Sequence, residues 1–261
     1  MCGIAGVRHR VAFFSAQLDP LTMEETLTRV DEIIRSRRVT QHVVVNVAKL
    51  VMMQRDPILR EIVNACGLIN ADGQGIVWGA RWLGLKIPER VAGIDLFVQL
   101  LPRAAQRGYR VYFLGASQDV VAEIVARCRR DYPTLQIAGW RNGYFSPEEE
   151  PRVVQAIKAS GADMLFVAMS SPKKEFFLRR YADLMAVPFL MGVGGSFDVM
   201  AGKTTRAPRW MQRCGLEWLH RLLCEPGRMW KRYAVTNTVF LGMVLSAMLM
   251  GKRGATQWRS T

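Results

Sequence analysis

A carboxylate on a glycine-flanked turn is the sharpest chemical signal in this sequence. Asn70-Ala-Asp-Gly-Gln-Gly75 sets Asp72 just past an apolar run at 67–71. A carboxylate placed there can take a proton from a hydroxyl group, as a general base must. It can equally cap the helix that follows, a position in which Asp is common. Spacing alone leaves both roles open. A second group lies in Gly192-Val-Gly-Gly-Ser-Phe-Asp198. Gly194 and Gly195 permit close backbone approach to a phosphate or sugar, or they serve only as a tight turn after a strand. Asn46, Gly115, Tyr144, Lys174 and Asp198 complete the set that could close around a nucleotide. Tyr144 could stack on a base, and a packed surface tyrosine is the plainer alternative.

These residues need a scaffold that gathers them, and the order of elements provides one. Thr22 and Glu25 match a capping box, with Leu27, Val30, Ile33 and Ile34 following at helical spacing. Apolar runs at 42–47, 67–71, 109–114, 135–138, 163–169 and 187–193 predict strands. Helices are expected from Asp56-Pro57, where proline suits a first turn, and over 72–81, 118–130, 148–159 and 173–185. Strands alternating with such helices predict an α/β fold, a parallel sheet covered on both faces. Ligands in these folds sit beyond the carboxyl ends of the strands. Asn46, Asp72, Gly115, the 170–174 segment and the 192–198 glycines all fall at those ends.

Three other motif matches fail on their own requirements. Met1-Cys-Gly-Ile-Ala-Gly6 copies the start of amidotransferases that use an N-terminal cysteine, but the strand–helix alternation contradicts their layered antiparallel core. Gly202-Lys-Thr-Thr205 ends like a phosphate-binding loop, yet Phe197 stands where that loop needs its first glycine. Phe197 also replaces the last glycine of a dinucleotide fingerprint begun by Gly192 and Gly194. The five cysteines form no CxxC pair and the three histidines have no zinc spacing, so no metal site is expected. Scattered free thiols suit a reducing compartment. Only a short apolar run, 11–14, follows Arg8, His9 and Arg10, so no signal peptide is expected.

Charge is unevenly placed. The net charge is +14, and residues 203–261 carry eleven Lys or Arg against Glu217 and Glu225. Such a stretch seeks an anionic surface, either nucleic acid or lipid phosphate. Its cations are interleaved with Trp210, Trp218, Trp230 and Tyr233 and precede an apolar run at 239–250. A nucleic-acid groove also places base-stacking aromatics among cations, but here both precede a long apolar run, which ranks nucleic acid last. The run is too short to span a bilayer, which needs about 20 apolar residues. It is expected to lie among lipid headgroups, or else to be a core helix or a contact between copies. The composition shifts near Gly202. We divide the chain there into an α/β core over 1–202 and a basic helical appendage over 203–261 that associates with membranes.

Several longer motifs carry a resemblance. Ala71-Asp-Gly-Gln-Gly-Ile-Val-Trp78, Pro88-Glu-Arg-Val-Ala-Gly-Ile-Asp95, the 192–202 segment, Arg206-Ala-Pro208 and Leu216-Glu-Trp-Leu-His-Arg-Leu222 resemble the WecG/TagA/CpsF glycosyltransferase family over about residues 40–233. The resemblance implies a Rossmann-like core and inverting transfer of a sugar from a UDP donor to a polyprenyl-diphosphate-linked sugar, without a metal or other cofactor. It implies Asp72 as the base, Arg90 as an assisting arginine, and Arg221, Arg228 and Lys231 facing the lipid diphosphate. It also implies a peripheral enzyme at the cytoplasmic face of the inner membrane, and homo-oligomers are compatible with it. Two positions depart from the family pattern. Val44 replaces a threonine, and Lys174 stands where a glutamine is usual. Lys174 implies an altered donor, and the branches that make exopolysaccharide intermediates, including xanthan-type β-glucosyltransferases, resemble the chain most. A membrane-surface scaffold that kept the fold and lost the chemistry is the alternative.

Overall fold

The computed structural model describes residues 9–250, with the side chains of Arg213, Arg228, Met229 and Arg232 outside the description. The Met1–Gly6 match and the cations Lys252, Arg253 and Arg259 also lie outside the described residues.

A short antiparallel hairpin, β1 (Val11–Phe13) and β2 (Ala16–Leu18), opens the structure. Helix α1 (Met23–Ser36) begins with the expected capping box, Thr22 and Glu25 each satisfying the other's backbone. Then follow β3 (Thr40–Val45), α2 (Val47–Arg55), α3 (Pro57–Ala65), β4 (Leu68–Ala71), α4 (Gln74–Trp82) and α5 (Gly93–Arg107). The second half continues with β5 (Arg110–Gly115), α6 (Gln118–Asp131), β6 (Gln136–Arg141), α7 (Glu150–Ser160), β7 (Met164–Ala168), α8 (Lys173–Met185), β8 (Phe189–Gly192) and α9 (Ser196–Met200). Three helices close the chain: α10 (Arg209–Arg213), α11 (Glu217–Cys224) and α12 (Pro226–Leu249).

The sheet has six strands in the order β4-β3-β8-β7-β5-β6, and every neighbouring pair is parallel. Side chains alternate across it with the strand period of two. Val111, Phe113, Met164 and Phe166 pack under α1, α5, α6 and Phe197 of α9. Tyr112, Leu114, Leu165 and Val167 face α7 and α8. Val43, Val45, Ile69 and Ala71 meet α2, α3, α4 and the β1–β2 hairpin. Helices on both faces of a parallel sheet make the architecture Rossmann-like, as expected.

Several boundaries differ from the sequence reading for local reasons. The strand expected over 42–47 ends at Val45, because the Asn46 side chain accepts the Lys49 N–H at 2.9 Å and starts α2. Helix α4 starts at Gln74, since Gly73 at φ +94° breaks the chain after Asp72. The sequence reading assigned no helix over 93–107, and Pro102 inside α5 is the feature that obscures it. The β1–β2 hairpin shows in the sequence only as the short apolar run at 11–14.

One face of the 239–250 segment belongs to a core helix. On α12, Thr236, Phe240, Met243, Val244 and Ala247 recur at helical spacing and are buried, the four apolar ones in the cluster of β1, β2, α2 and α4. Val235, Leu241, Leu245, Met248 and Leu249 occupy the opposite face and are exposed. Gly202 therefore marks a change of composition, while α12 completes the core. Among the described residues no helix is long and apolar enough to cross a membrane.

Candidate active site

Asp72 leaves the carboxyl end of β4 in the buried strand Leu-Ile-Asn-Ala, its own N–H held by Val45 O at 2.9 Å. It does not cap α4: the N-cap is Gly73, with no side-chain cap. The carboxyl is therefore left for other work. It is half-buried, and burial followed by the nearby charge of Glu217 raises its pKa to about 6, while Arg221 and Arg90 pull the other way. A carboxyl poised there is ionised at neutral pH and still basic enough to take a proton.

Arg90 reaches this region from the loop before α5. Its Nη1 donates to Glu217 Oε2 at 2.9 Å and its Nη2 to Asp95 Oδ2 at 3.3 Å. Asp95 is gripped from the other side by Arg206, whose Nη1 and Nη2 lie 2.5 and 2.9 Å from its two oxygens. Arg206 Nε and Arg221 Nη2 face Glu217 Oε1 at 3.6 and 3.7 Å. Three guanidinium groups thus converge on two carboxylates beside Asp72. Gln74, Arg90, Arg209 and Gln212 line an adjoining open cavity of about 370 Å³. Cations outnumbering carboxylates around such an opening suit a phosphorylated ligand.

The expected donor residues occupy the same carboxyl edge of the sheet, along β3 to β8. Gly115 closes β5 at φ +125°, where a β-carbon would strike Ala168 O at 2.4 Å, so only glycine fits. The next loop is tied back by Gly143 N–H to Ala116 O at 2.9 Å, presenting Tyr144 with 79% of its surface exposed. Gly194 sits at φ +54° with open space around it, and Gly195 and Asp198 lead into α9. Asn46 spends its side-chain oxygen on the α2 cap.

Lys174 is not the open cation its sequence position suggested. It is buried, its methylenes cover Gly192, and its Nζ lies 3.3 Å from Glu175 Oε1. The same oxygen takes a 2.6 Å hydrogen bond from buried Lys49, and Glu175 Oε2 accepts from Ser171. Burial alone would raise the Glu175 pKa, but Lys49 and Lys174 outweigh it and hold the group down to about 2. Two cations and one anion therefore lie buried beneath this carboxyl edge of the sheet.

Of the residues expected to face the lipid diphosphate, Arg221 is brought to the Asp72 cluster. Lys231 is exposed on α12 over the Trp230 ring, and no described contact joins it to that cluster. Arg228 lies on α12, but its side chain is outside the described residues. Among the described residues no three His, Cys, Asp or Glu side chains gather as metal ligands.

With this geometry in place, the family profile of the glycosyl transferase WecG/TagA/CpsF family matches residues 11–254. The chain belongs to the WecG/TagA/CpsF family. It is similar to the N-acetylglucosaminyldiphosphoundecaprenol N-acetyl-beta-D-mannosaminyltransferase of Bacillus spizizenii (strain ATCC 23059 / NRRL B-14472 / W23), 40% identical over 178 residues, 68% of each chain.

As a WecG/TagA/CpsF glycosyltransferase, the chain carries site residues that its sequence did not single out. Asp95, Arg206 and Glu217 sit inside the segments that carry the family resemblance, and Gln74 lies two residues past Asp72. Their presence was legible there, but their pairing was not. Arg90 and Glu217 are 127 positions apart, and only the tertiary fold brings the loop before α5 and helix α11 together. Arg209 and Gln212 had no signal beyond the general basicity of the 203–261 stretch.

Proposed function

We propose that this glycosyltransferase moves a hexose or N-acetylhexosamine from a UDP donor to a polyprenyl-diphosphate-linked sugar, with inversion, in exopolysaccharide or cell-envelope polysaccharide synthesis. The observation that carries the proposal is the Asp72 carboxyl, uncapped and held near pKa 6 beside a cluster of arginines. The name of the Bacillus relative, which acts on a diphosphoundecaprenol-linked sugar, supports the acceptor class.

In this reading Asp72 accepts the proton of the acceptor hydroxyl as that oxygen attacks the donor's anomeric carbon. The bond from that carbon to the diphosphate breaks on the opposite face, so the configuration inverts and UDP leaves. Attack and departure on opposite faces require donor and acceptor to flank the carboxyl. The carboxyl edge from Asn46 and Gly115 to Gly194, Gly195 and Asp198 takes the donor, with Tyr144 free to stack on its base. Lys174 acts there indirectly, by setting the charge and shape beneath Gly192. Arg90, Arg206, Arg209 and Arg221 meet phosphate charge, and no metal is called for. Arg228 and Lys231, on the first turns of α12, extend the acceptor side toward the membrane.

The same reading places the enzyme peripherally at the cytoplasmic face of the inner membrane. The exposed face of α12, with Leu241, Leu245, Met248 and Leu249, lies beside exposed Trp230 and Lys231 on one helix. Apolar burial and cationic attraction together suffice to hold a protein at an anionic bilayer, where either alone is weak. The decisive experiment mixes purified enzyme, UDP-sugars and a polyprenyl-diphosphate-linked sugar and measures released UDP together with the extended lipid. Lipid-dependent UDP release is the expected result. UDP-sugar left intact across a donor panel would favour the scaffold that kept the fold without the chemistry.

A further inference from the structure

Arg90 is held from two directions, and the two anchors are not equivalent. Asp95 sits in the first turn of α5, only five positions away, and both its oxygens are already engaged by Arg206. Its bond to Arg90 is long, 3.3 Å. Glu217 comes from α11 and makes the shorter bond, 2.9 Å, to the other terminal nitrogen. The guanidinium plane of Arg90 is therefore oriented chiefly by a carboxylate that belongs to the C-terminal helices. A planar, forked donor set has its direction fixed only when both ends are held.

We propose that Glu217 is a positioning residue, which aims Arg90 at the reacting groups beside Asp72. This rests on the assignment of Asp72 and Arg90 made above. Glu217 is half-buried, its side chain 17% exposed, and Arg206 and Arg221 also face it. Removing its charge leaves Arg90 and Arg206 with Asp95 as their shared counter-ion and takes from Arg221 the carboxylate that faces it. Mutual repulsion then turns Arg90 away from its present direction.

The groups that face Asp72 are Glu217 and Arg221 from α11, Arg90 from the loop, and Asp95 from α5. Glu217 contributes the larger of the two acidic influences, and burial acts in the same direction. Loss of its charge should therefore lower the pH at which Asp72 ionises, a change that a purely structural residue would not produce.

Two variants separate charge from reach. Glu217→Gln removes the charge and keeps an acceptor oxygen, while Glu217→Asp keeps the charge and shortens the side chain. Both are compared with wild type and Asp72→Asn in kcat, KM for the lipid acceptor, the pH profile of kcat/KM, and thermal melting. The expected result is a kcat about 10- to 100-fold lower in both variants, with acceptor KM within about threefold. The acid limb of Glu217→Gln should move to lower pH, and that of Glu217→Asp should stay near wild type. A Glu217→Gln enzyme with wild-type kcat and an unmoved acid limb overturns the proposal. So does a kcat loss matched by a lost folded fraction with the limb unmoved in both variants. If Asp72→Asn itself keeps turnover, the assignment of the base fails, a result distinct from either of these.

Discussion

A β-carbon on Gly79 would lie 2.8 Å from Cζ of Phe240, so α4 and α12 touch where a glycine leaves room for the ring. Helix α4 begins two residues past Asp72, and the C-terminal helix thus braces the element that follows the proposed base. Phe13, at 3.2 Å from the same point, closes the contact from the N-terminal hairpin. Phe240→Ala is expected to cost about 3–5 kcal/mol by leaving a cavity there. Gly79→Val should cost about 1–3 kcal/mol by overfilling it. Urea unfolding of both variants checks this, and an unchanged midpoint in either would show that α12 is not part of the core.

Asp72→Asn is expected to lower turnover by about 10²- to 10⁴-fold, because the amide cannot take a proton at neutral pH. The same substitution should stabilise the fold. A carboxyl whose folded pKa is raised from 3.8 to about 6 favours folding when protonated, below its unfolded value. That contribution is lost as pH rises through about 6, and at pH 7.5 the ionised group is a burden. The asparagine variant carries no such burden, so its Tm at pH 7.5 should exceed that of wild type by a few degrees, with little difference near pH 3.5. Differential scanning calorimetry at the two pH values reads the effect.

For the wild-type enzyme, kcat/KM should rise with pH through an apparent pKa near 6 as Asp72 ionises. Added salt screens exposed Arg221 more than the part-buried Glu217, and should move that limb upward rather than down. A limb absent between pH 5 and 7 would place proton transfer on another group.

Lys174 and Glu175 make opposite predictions although they are neighbours. Lys174→Gln leaves the 2.6 Å Lys49–Glu175 pair in place, so folding should survive while donor preference shifts. Glu175→Gln leaves two buried cations without their shared anion and should cost about 3–5 kcal/mol. Competition between UDP-sugars reads the first variant, and thermal melting reads the second. Equal donor preference in Lys174→Gln and wild type would make the departure from the family pattern incidental.

Leu241, Leu245 and Leu249 are exposed on the outer face of α12 and are not members of its buried cluster. Their joint replacement by Glu should abolish co-sedimentation with anionic liposomes and leave Tm within about 2 °C of wild type, since exposed positions carry little stability. Undiminished pelleting would move the membrane contact to another surface.

The elements that pack locally were legible in the chain itself. Thr22 and Glu25 announce α1, Asp56 and Pro57 announce α3, and helix α8 falls where its periodicity places it. Caps and periodicity are written within a few residues, so sequence suffices for them. The carboxyl-end position of Asp72, Gly115 and Gly194 followed from strand–helix alternation alone. Asp72 as cap or base was undecidable at that level, because either role needs the same residue at the same place; the Gly73 backbone settled the cap. The residue type at Lys174 was readable and its burial was not, since its methylenes lie against Gly192, 18 positions further along the chain. The apolar run at 239–250 shows its hydrophobicity in sequence, but which face meets α4 depends on where Gly79 and Phe13 stand. The link from Arg90 to Glu217 spans 127 positions. Countercharges at that separation carry no periodicity, and only the tertiary fold, which brings α11 to the loop before α5, makes them partners.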